Sequence, residues 1–81
     1  MVETTQKFSR QLQRTQHSLA DSLRLHRTAA GLTQEELAIR AGLERKTVNR
    51  IENERLSPTI DTLVRLALVL RCSVADLIQG A

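Results

Sequence analysis

An all-α fold is the reading this sequence predicts, and three features predict it. Punctuation is sparse, with only Gly31, Gly42, Gly80 and Pro58 among 81 residues, so the chain reads as helices joined by short turns. Its apolar residues recur at helical spacing along most of the chain. The core has to be aliphatic, because Phe8 is the single aromatic residue. A chain this short buries about 60% of the surface its unfolded form exposes. That leaves room for one core and one surface site, and none for a separate catalytic or effector domain.

Taken in order, residues 1–17 are polar, with Val2, Phe8 and Leu12 as the sizeable apolar groups after Met1. They are expected to form an arm that orders on a partner, with an extra helix as the alternative. Ser18 followed by Asp21 is a weak capping box, and Leu19, Leu23 and Ala30 share one face of a first helix that Gly31 ends. Thr33 followed by Glu36 is a full capping box, and it opens a second helix with Leu37, Ala38 and Ala41 as the buried stripe and Gly42 as the stop. A third helix spans residues 44–54, with Val48 and Ile51 inward and Arg45, Lys46, Asn49, Arg50 and Asn53 outward.

Pro58 disfavours helix at Ser57, so residues 55–58 read as a loop. A fourth helix follows from Thr59 to Leu70, with Ile60, Leu63, Val64, Ala67 and Leu70 as its stripe. Leu66, Leu68 and Val69 widen that stripe, which implies a second covered surface. Ser73 caps a short fifth helix, Val74 to Ile78, ended by Gly80. The expected map is therefore an arm over 1–17, a five-helix domain over 18–79 and a tail over 80–81.

Composition excludes several function classes. Modules that stack bases on aromatic rings are ruled out by the lack of Trp and Tyr. Cys72 is alone, so it forms no intrachain disulfide and reads as a small core hydrophobe. The longest apolar run, Leu66 to Leu70, falls far short of the roughly 18 residues a membrane span needs. The N-terminus has no apolar signal core, so no membrane partner and a cytoplasmic location are expected. No glycine-rich phosphate loop or paired metal spacing occurs, and His17, His26 and Cys72 are too scattered for a zinc site. An enzyme, a metal and a cofactor are accordingly not expected, and both histidines read as solvent-facing.

The formal net charge is +3. Residues 1–30 carry five basic and two acidic groups, residues 31–60 five of each, and residues 61–81 two of each. The excess thus sits in the arm and first helix, where Lys7, Arg10 and Arg14 either track a polyanionic backbone or form a plain solvated tail.

Two short helices across a tight glycine turn, the second apolar inside and basic and amide-rich outside, are what a helix-turn-helix requires. The run Gly31-Leu32-Thr33-Gln34-Glu35-Glu36-Leu37-Ala38, then Ala41-Gly42-Leu43, Val48-Asn49-Arg50-Ile51-Glu52 and Ser57-Pro58-Thr59-Ile60-Asp61-Thr62-Leu63, resembles the lambda-repressor-like, Cro-type (XRE) family of DNA-binding domains. The resemblance covers residues 18–79. It implies a compact five-helix domain that binds double-stranded DNA as a transcriptional regulator, with the third helix in the major groove.

By position, the resemblance implies that Gln34 bonds a phosphate and braces the third helix, with Thr33 as its capping neighbour. It implies that Arg27 and Glu52 form a structural ion pair, and that Asn53, Ser57 and Thr59 contact phosphate. Base reading is expected from Arg45, Lys46, Asn49 and Arg50. A guanidinium at Arg45 suits guanine and the Asn49 amide suits adenine, while Lys46 and Arg50 read a base or clamp a phosphate. Thr47 is either a packing residue or a donor to thymine or phosphate. Two departures stand out. Many relatives place glycine just after the third helix, where this chain has Asn53-Glu54-Arg55, and Glu44 is either an N-cap or an acceptor for cytosine.

Short members that resemble this chain in length and layout include phage-type repressors and the controller proteins of restriction-modification systems. A homodimer through Leu68, Val69, Val74 and Leu77 or Ile78 is expected on a pseudo-palindromic operator, with no small-molecule effector. Two alternatives use the same fold: the antitoxin of a toxin-antitoxin pair, and a protein-interaction adaptor.

Overall fold

A computed structural model of the chain describes residues 2–79. It contains α1 (Val2–Ala29), α2 (Gln34–Ala41), α3 (Arg45–Glu52), α4 (Ile60–Leu70) and α5 (Val74–Gln79), and no strand among the described residues. The stop expected at Gly80 and the tail 80–81 lie outside the described residues.

The largest departure from the sequence reading is α1. Ser18 does not begin a helix, because α1 runs unbroken for 28 residues from Val2. Nothing between residues 2 and 29 breaks it, since no Gly or Pro occurs there. Pairs one turn apart reinforce it: Lys7 lies 3.0 Å from Glu3, and His17 lies 3.3 Å from Asp21. The helix also has something to lean on, as Gln16 donates to the Ser57 hydroxyl at 2.8 Å. Leu12 and Leu19 flank a small apolar groove with Pro58, Leu63 and Ile78. Residues 2–17 of the segment expected as an arm are therefore a helical prolongation of the first helix, and the extents of 43 × 23 × 19 Å reflect its length.

Helix starts follow their capping residues. Thr33 accepts from the Glu36 N–H at 3.0 Å while Glu36 accepts from the Thr33 N–H at 2.9 Å, a reciprocal box. Ser73 and Asp76 do the same for α5 at 3.0 Å each way, and Thr59 accepts from the Thr62 N–H at 3.2 Å for α4. Glu44 occupies the N-cap position of α3, but its carboxylate makes no capping bond. Glutamate is one carbon too long for the compact loop that Ser, Thr or Asp closes.

Helices α1 to α4 end alike. In each, one N–H returns to the carbonyl three residues back and the next to the carbonyl five back, as in Gly31 to Thr28 and Leu32 to Arg27. The residue at the turn must be left-handed. Gly31 and Gly42 meet that requirement freely at φ 72° and 69°, whereas Glu54 and Arg71 adopt it at φ 59° and 57° despite carrying side chains.

The core gathers Leu19 and Leu23 from α1, Leu37 from α2, Val48 and Ile51 from α3, Leu66 from α4 and Leu77 from α5. Burying each contributes roughly 1.5–3 kcal/mol. Ser22 is also buried, and its hydroxyl donates to the Asp76 carbonyl at 2.9 Å, joining α1 to α5. Ala30, expected in the first stripe, is exposed, because it sits in the turn beyond the end of α1.

On α4 the buried residues are Leu63, Leu66 and Ala67, while Ile60 and Val64 are exposed. Inserting Leu66 rotates the inward face toward 63, 66, 67 and 70. The 60, 64, 68 row is then left outside, one turn apart along the helix. Cys72 packs partly buried against the core, where burial raises its thiol above the usual range. His26 is not solvent-facing: its Nδ1 donates to the Ser22 carbonyl at 2.8 Å in a half-buried site.

Candidate nucleic-acid interface

One buried carboxylate organises the turn between α2 and α3. Glu52, at the end of α3, is 3% exposed, and a charge placed there has to be fully partnered. Arg27 meets it with two prongs, Nε to Oε2 at 2.7 Å and Nη2 to Oε1 at 2.9 Å. Those hydrogen bonds hold the Arg27 guanidinium above its ordinary value. Its remaining nitrogen donates to the Leu32 carbonyl at 2.9 Å and so pins the turn after α1.

Gln34, the first residue of α2, donates to Glu52 Oε1 at 3.2 Å. Arg24 adds a third contact from α1, with Nη2 donating to the Glu52 carbonyl at 2.9 Å and Nε 3.7 Å from Oε1. Three helices thereby converge on one side chain. Sequence reasoning did not single out Arg24, and the available signal was its position one helical turn before Arg27.

The opposite face of α3 is open. Arg45, Lys46, Asn49 and Arg50 are all exposed, and the first three line one shallow cleft. Val48 and Ile51 are fully buried behind them, which fixes how the helix is rolled. The side chains of Arg45, Lys46 and Arg50 make no hydrogen bond or ion pair among the described residues. Asn49 does, its amide donating to Gln34 Oε1 at 3.2 Å.

The neutral donors frame this face. Gln34 is half-buried at the α2 N-terminus beside the capping hydroxyl of Thr33, and Thr47 is half-buried on α3. Asn53 donates to the Asn49 carbonyl at 2.8 Å, Ser57 accepts from Gln16, and the Thr59 hydroxyl donates to that of Thr62 at 3.1 Å. Several unpaired cations beside fixed N–H and O–H donors form a surface suited to a polyanion.

Comparison with known proteins decides the family. A family model described as helix-turn-helix matches residues 23–77. The chain belongs to the helix-turn-helix family. It is 37% identical over 60 residues to the control protein C.SmaI of Serratia marcescens, covering 74% of this chain and 71% of that protein. Its fold is similar to that of the hypothetical transcription factor NHTF from Neisseria, with a TM-score of 0.80 at 30% identity over 85% of this chain and 78% of the other. The restriction-modification controller protein C.AhdI from Aeromonas hydrophila aligns at 0.74 and 32%, over 76% and 94%. This helix-turn-helix protein is a transcriptional regulator of the XRE type.

Away from α3, the helix-turn-helix domain exposes apolar surface on α4. Leu68 is 74% exposed, and Val69, Val74 and Ile78 are half-buried. Leu77 is different: it is wholly buried in the protomer's own core and cannot reach a partner, so of the expected pair only Ile78 stays available. Ile60 and Val64, read as core in the sequence, join this outer surface instead. No helix of the described residues is long and apolar enough to cross a membrane.

Proposed function

We propose that the protein is a sequence-specific regulator that lays α3 in the major groove of double-stranded DNA and binds a pseudo-palindromic operator as a homodimer. One observation carries this reading. Arg45, Lys46, Asn49 and Arg50 form an exposed row on a helix whose other side is locked to α1 and α2 through Glu52. A rigid helix presenting two-pronged donors is what reading base edges needs, and the major groove, about 12 Å wide, admits one helix.

Arg45 stands at the leading end of α3, where the helix enters deepest, and takes guanine. Asn49 takes adenine, and Lys46 and Arg50 divide between base and phosphate. Thr33, Gln34, Thr47, Asn53, Ser57 and Thr59 position the domain on the backbone without reading sequence. Residues 18–79 act as the DNA-binding unit. The dimer uses Leu68, Val69, Val74 and Ile78, with Ile60 and Val64 extending the same apolar surface, and sets two recognition helices one turn of DNA apart, about 34 Å.

The test is selection of duplexes from a random pool, followed by affinity measurements on the winner and its single-base variants. Arg45→Ala should cost roughly 1–3 kcal/mol per half-site and relax preference at one base position. An unchanged preferred sequence would remove Arg45 as a reader, and failure to enrich any duplex would remove the function.

A further inference from the structure

The segment after α3 touches α1 at a charged contact that lies outside the Glu52 cluster. His17 Nδ1 is 3.1 Å from Glu54 Oε2, and its Nε2 is 3.3 Å from Asp21 Oδ2. Both ring nitrogens therefore face carboxylate oxygens, which only accept, and an imidazole has two N–H donors only when protonated. Glu54 is one of two side-chain-bearing residues held left-handed among the described residues, at φ 59°, a conformation that persists where the surroundings over-determine it.

Beside this contact lies an open cleft of about 480 Å³, lined by Gln13, Arg14, Gln16, His17 and Glu54. It adjoins the loop assigned above to phosphate, since Gln16 bonds Ser57 directly. The charged groups around His17 are Arg14 and Glu54 on the cleft, Asp21 one turn along α1, and Arg24, whose Nη1 lies 4.0 Å from the other Asp21 oxygen. Without the imidazole proton that cluster is neutral in sum. With it, the cluster is cationic.

We propose that this cleft is an additional DNA-backbone site, in which Arg14 takes a phosphate and the proton on His17 regulates affinity by cancelling the charge of Glu54. The proposal rests on the DNA-binding reading above and extends its footprint from the helix-turn-helix onto α1. The neighbouring acids favour the proton: the hydrogen bond to Glu54 first, and then the charge of Asp21, raise His17 above the ordinary imidazole value. Acidification through the neutral range then tightens binding, while a DNA phosphodiester keeps its charge throughout.

The experiment is equilibrium binding of the full chain to its selected operator between about pH 6 and about pH 8.5, at several salt concentrations. Wild type should tighten on acidification by on the order of fivefold per protomer, and His17→Gln should lose that response. Glu54→Gln should bind more tightly than wild type at the alkaline end and respond only at lower pH. Arg14→Gln should keep the pH response but lower the salt slope by about 0.9 per protomer. A His17→Gln protein with the wild-type pH response, or an Arg14→Gln protein with the wild-type salt slope, overturns the proposal. Loss of selective binding in wild type itself would instead overturn the DNA-binding reading beneath it.

Discussion

The Asn49 amide donates to the side-chain oxygen of Gln34 at 3.2 Å, and Gln34 in turn donates to Glu52 at 3.2 Å. A residue on the open face of α3 is thus connected, through the first residue of α2, to the buried ion pair. Gln34→Ala should weaken binding to all duplexes alike, because it removes a backbone donor. Asn49→Ala should cost about 1–3 kcal/mol at one base position only. Titration of both variants against single-base operator changes separates the two, and a position-specific loss in Gln34→Ala would contradict this division of roles.

Glu52 predicts a stability effect. Glu52→Ala leaves the half-buried Arg27 guanidinium without its carboxylate and should destabilise by about 3–5 kcal/mol, whereas the double variant Arg27→Met with Glu52→Leu should lose less than either single change. Urea unfolding of the set measures the coupling, and additive losses would show that the pair is not a unit.

Arg71 closes α4 in the left-handed region at φ 57° and is exposed. Replacing it with glycine removes a steric cost of about 1 kcal/mol and should raise the melting temperature by roughly 4–8 °C. A lower melting temperature would mean that the arginine side chain compensates elsewhere.

Acid stability follows from the two reciprocal caps. Hydrogen bonds from the Thr33 backbone to Glu36 and from the Ser73 backbone to Asp76 depress both carboxyl pKa values below their ordinary range. A group depressed in the folded state contributes above its unfolded value, about pH 4, and that contribution disappears as pH falls through the folded one. Melting curves from about pH 6 down to about pH 3 should therefore fall less steeply for Glu36→Gln than for wild type. An identical slope would exclude the cap as a source of the acid sensitivity.

The outer row of α4 predicts an oligomer. Leu68→Glu should leave the helical spectrum intact, since Leu68 is 74% exposed, and should convert the proposed dimer to monomer by sedimentation. A wild-type monomer at tens of micromolar with operator present would refute the dimer.

Much of this architecture is local, and that part is readable. Thr33, Thr59 and Ser73 mark helix starts because capping is decided within four residues, and Gly31 and Gly42 mark helix ends for the same reason. Two features are decided at a distance. Ser18 and Asp21 resemble a cap, yet the support that continues α1 through this point comes from the contacts of Gln16 with Ser57 and of His17 with Glu54, 41 and 37 positions apart. On α4, aliphatic residues surround the helix nearly completely, so periodicity could not tell that Leu66 is buried and Ile60 exposed. In the candidate site the α3 row was legible from 100° steps alone. Arg24 was not, because its partner Glu52 lies 28 residues away.

The inward commitment of Glu52 has a consequence for how such a domain diversifies. Whatever fixes α3 in place lies behind it, in Val48, Ile51 and Glu52, while the side chains of Arg45, Lys46 and Arg50 bond to nothing else among the described residues. Mutations at those three positions can accumulate with little penalty in folding, so a duplicated copy could drift to a new operator without passing through unstable intermediates. Asn49 is the exception. Its bond to Gln34 makes it the proposed reader whose replacement is felt by the scaffold, and hence the position where a change of target would most often need a second, compensating change.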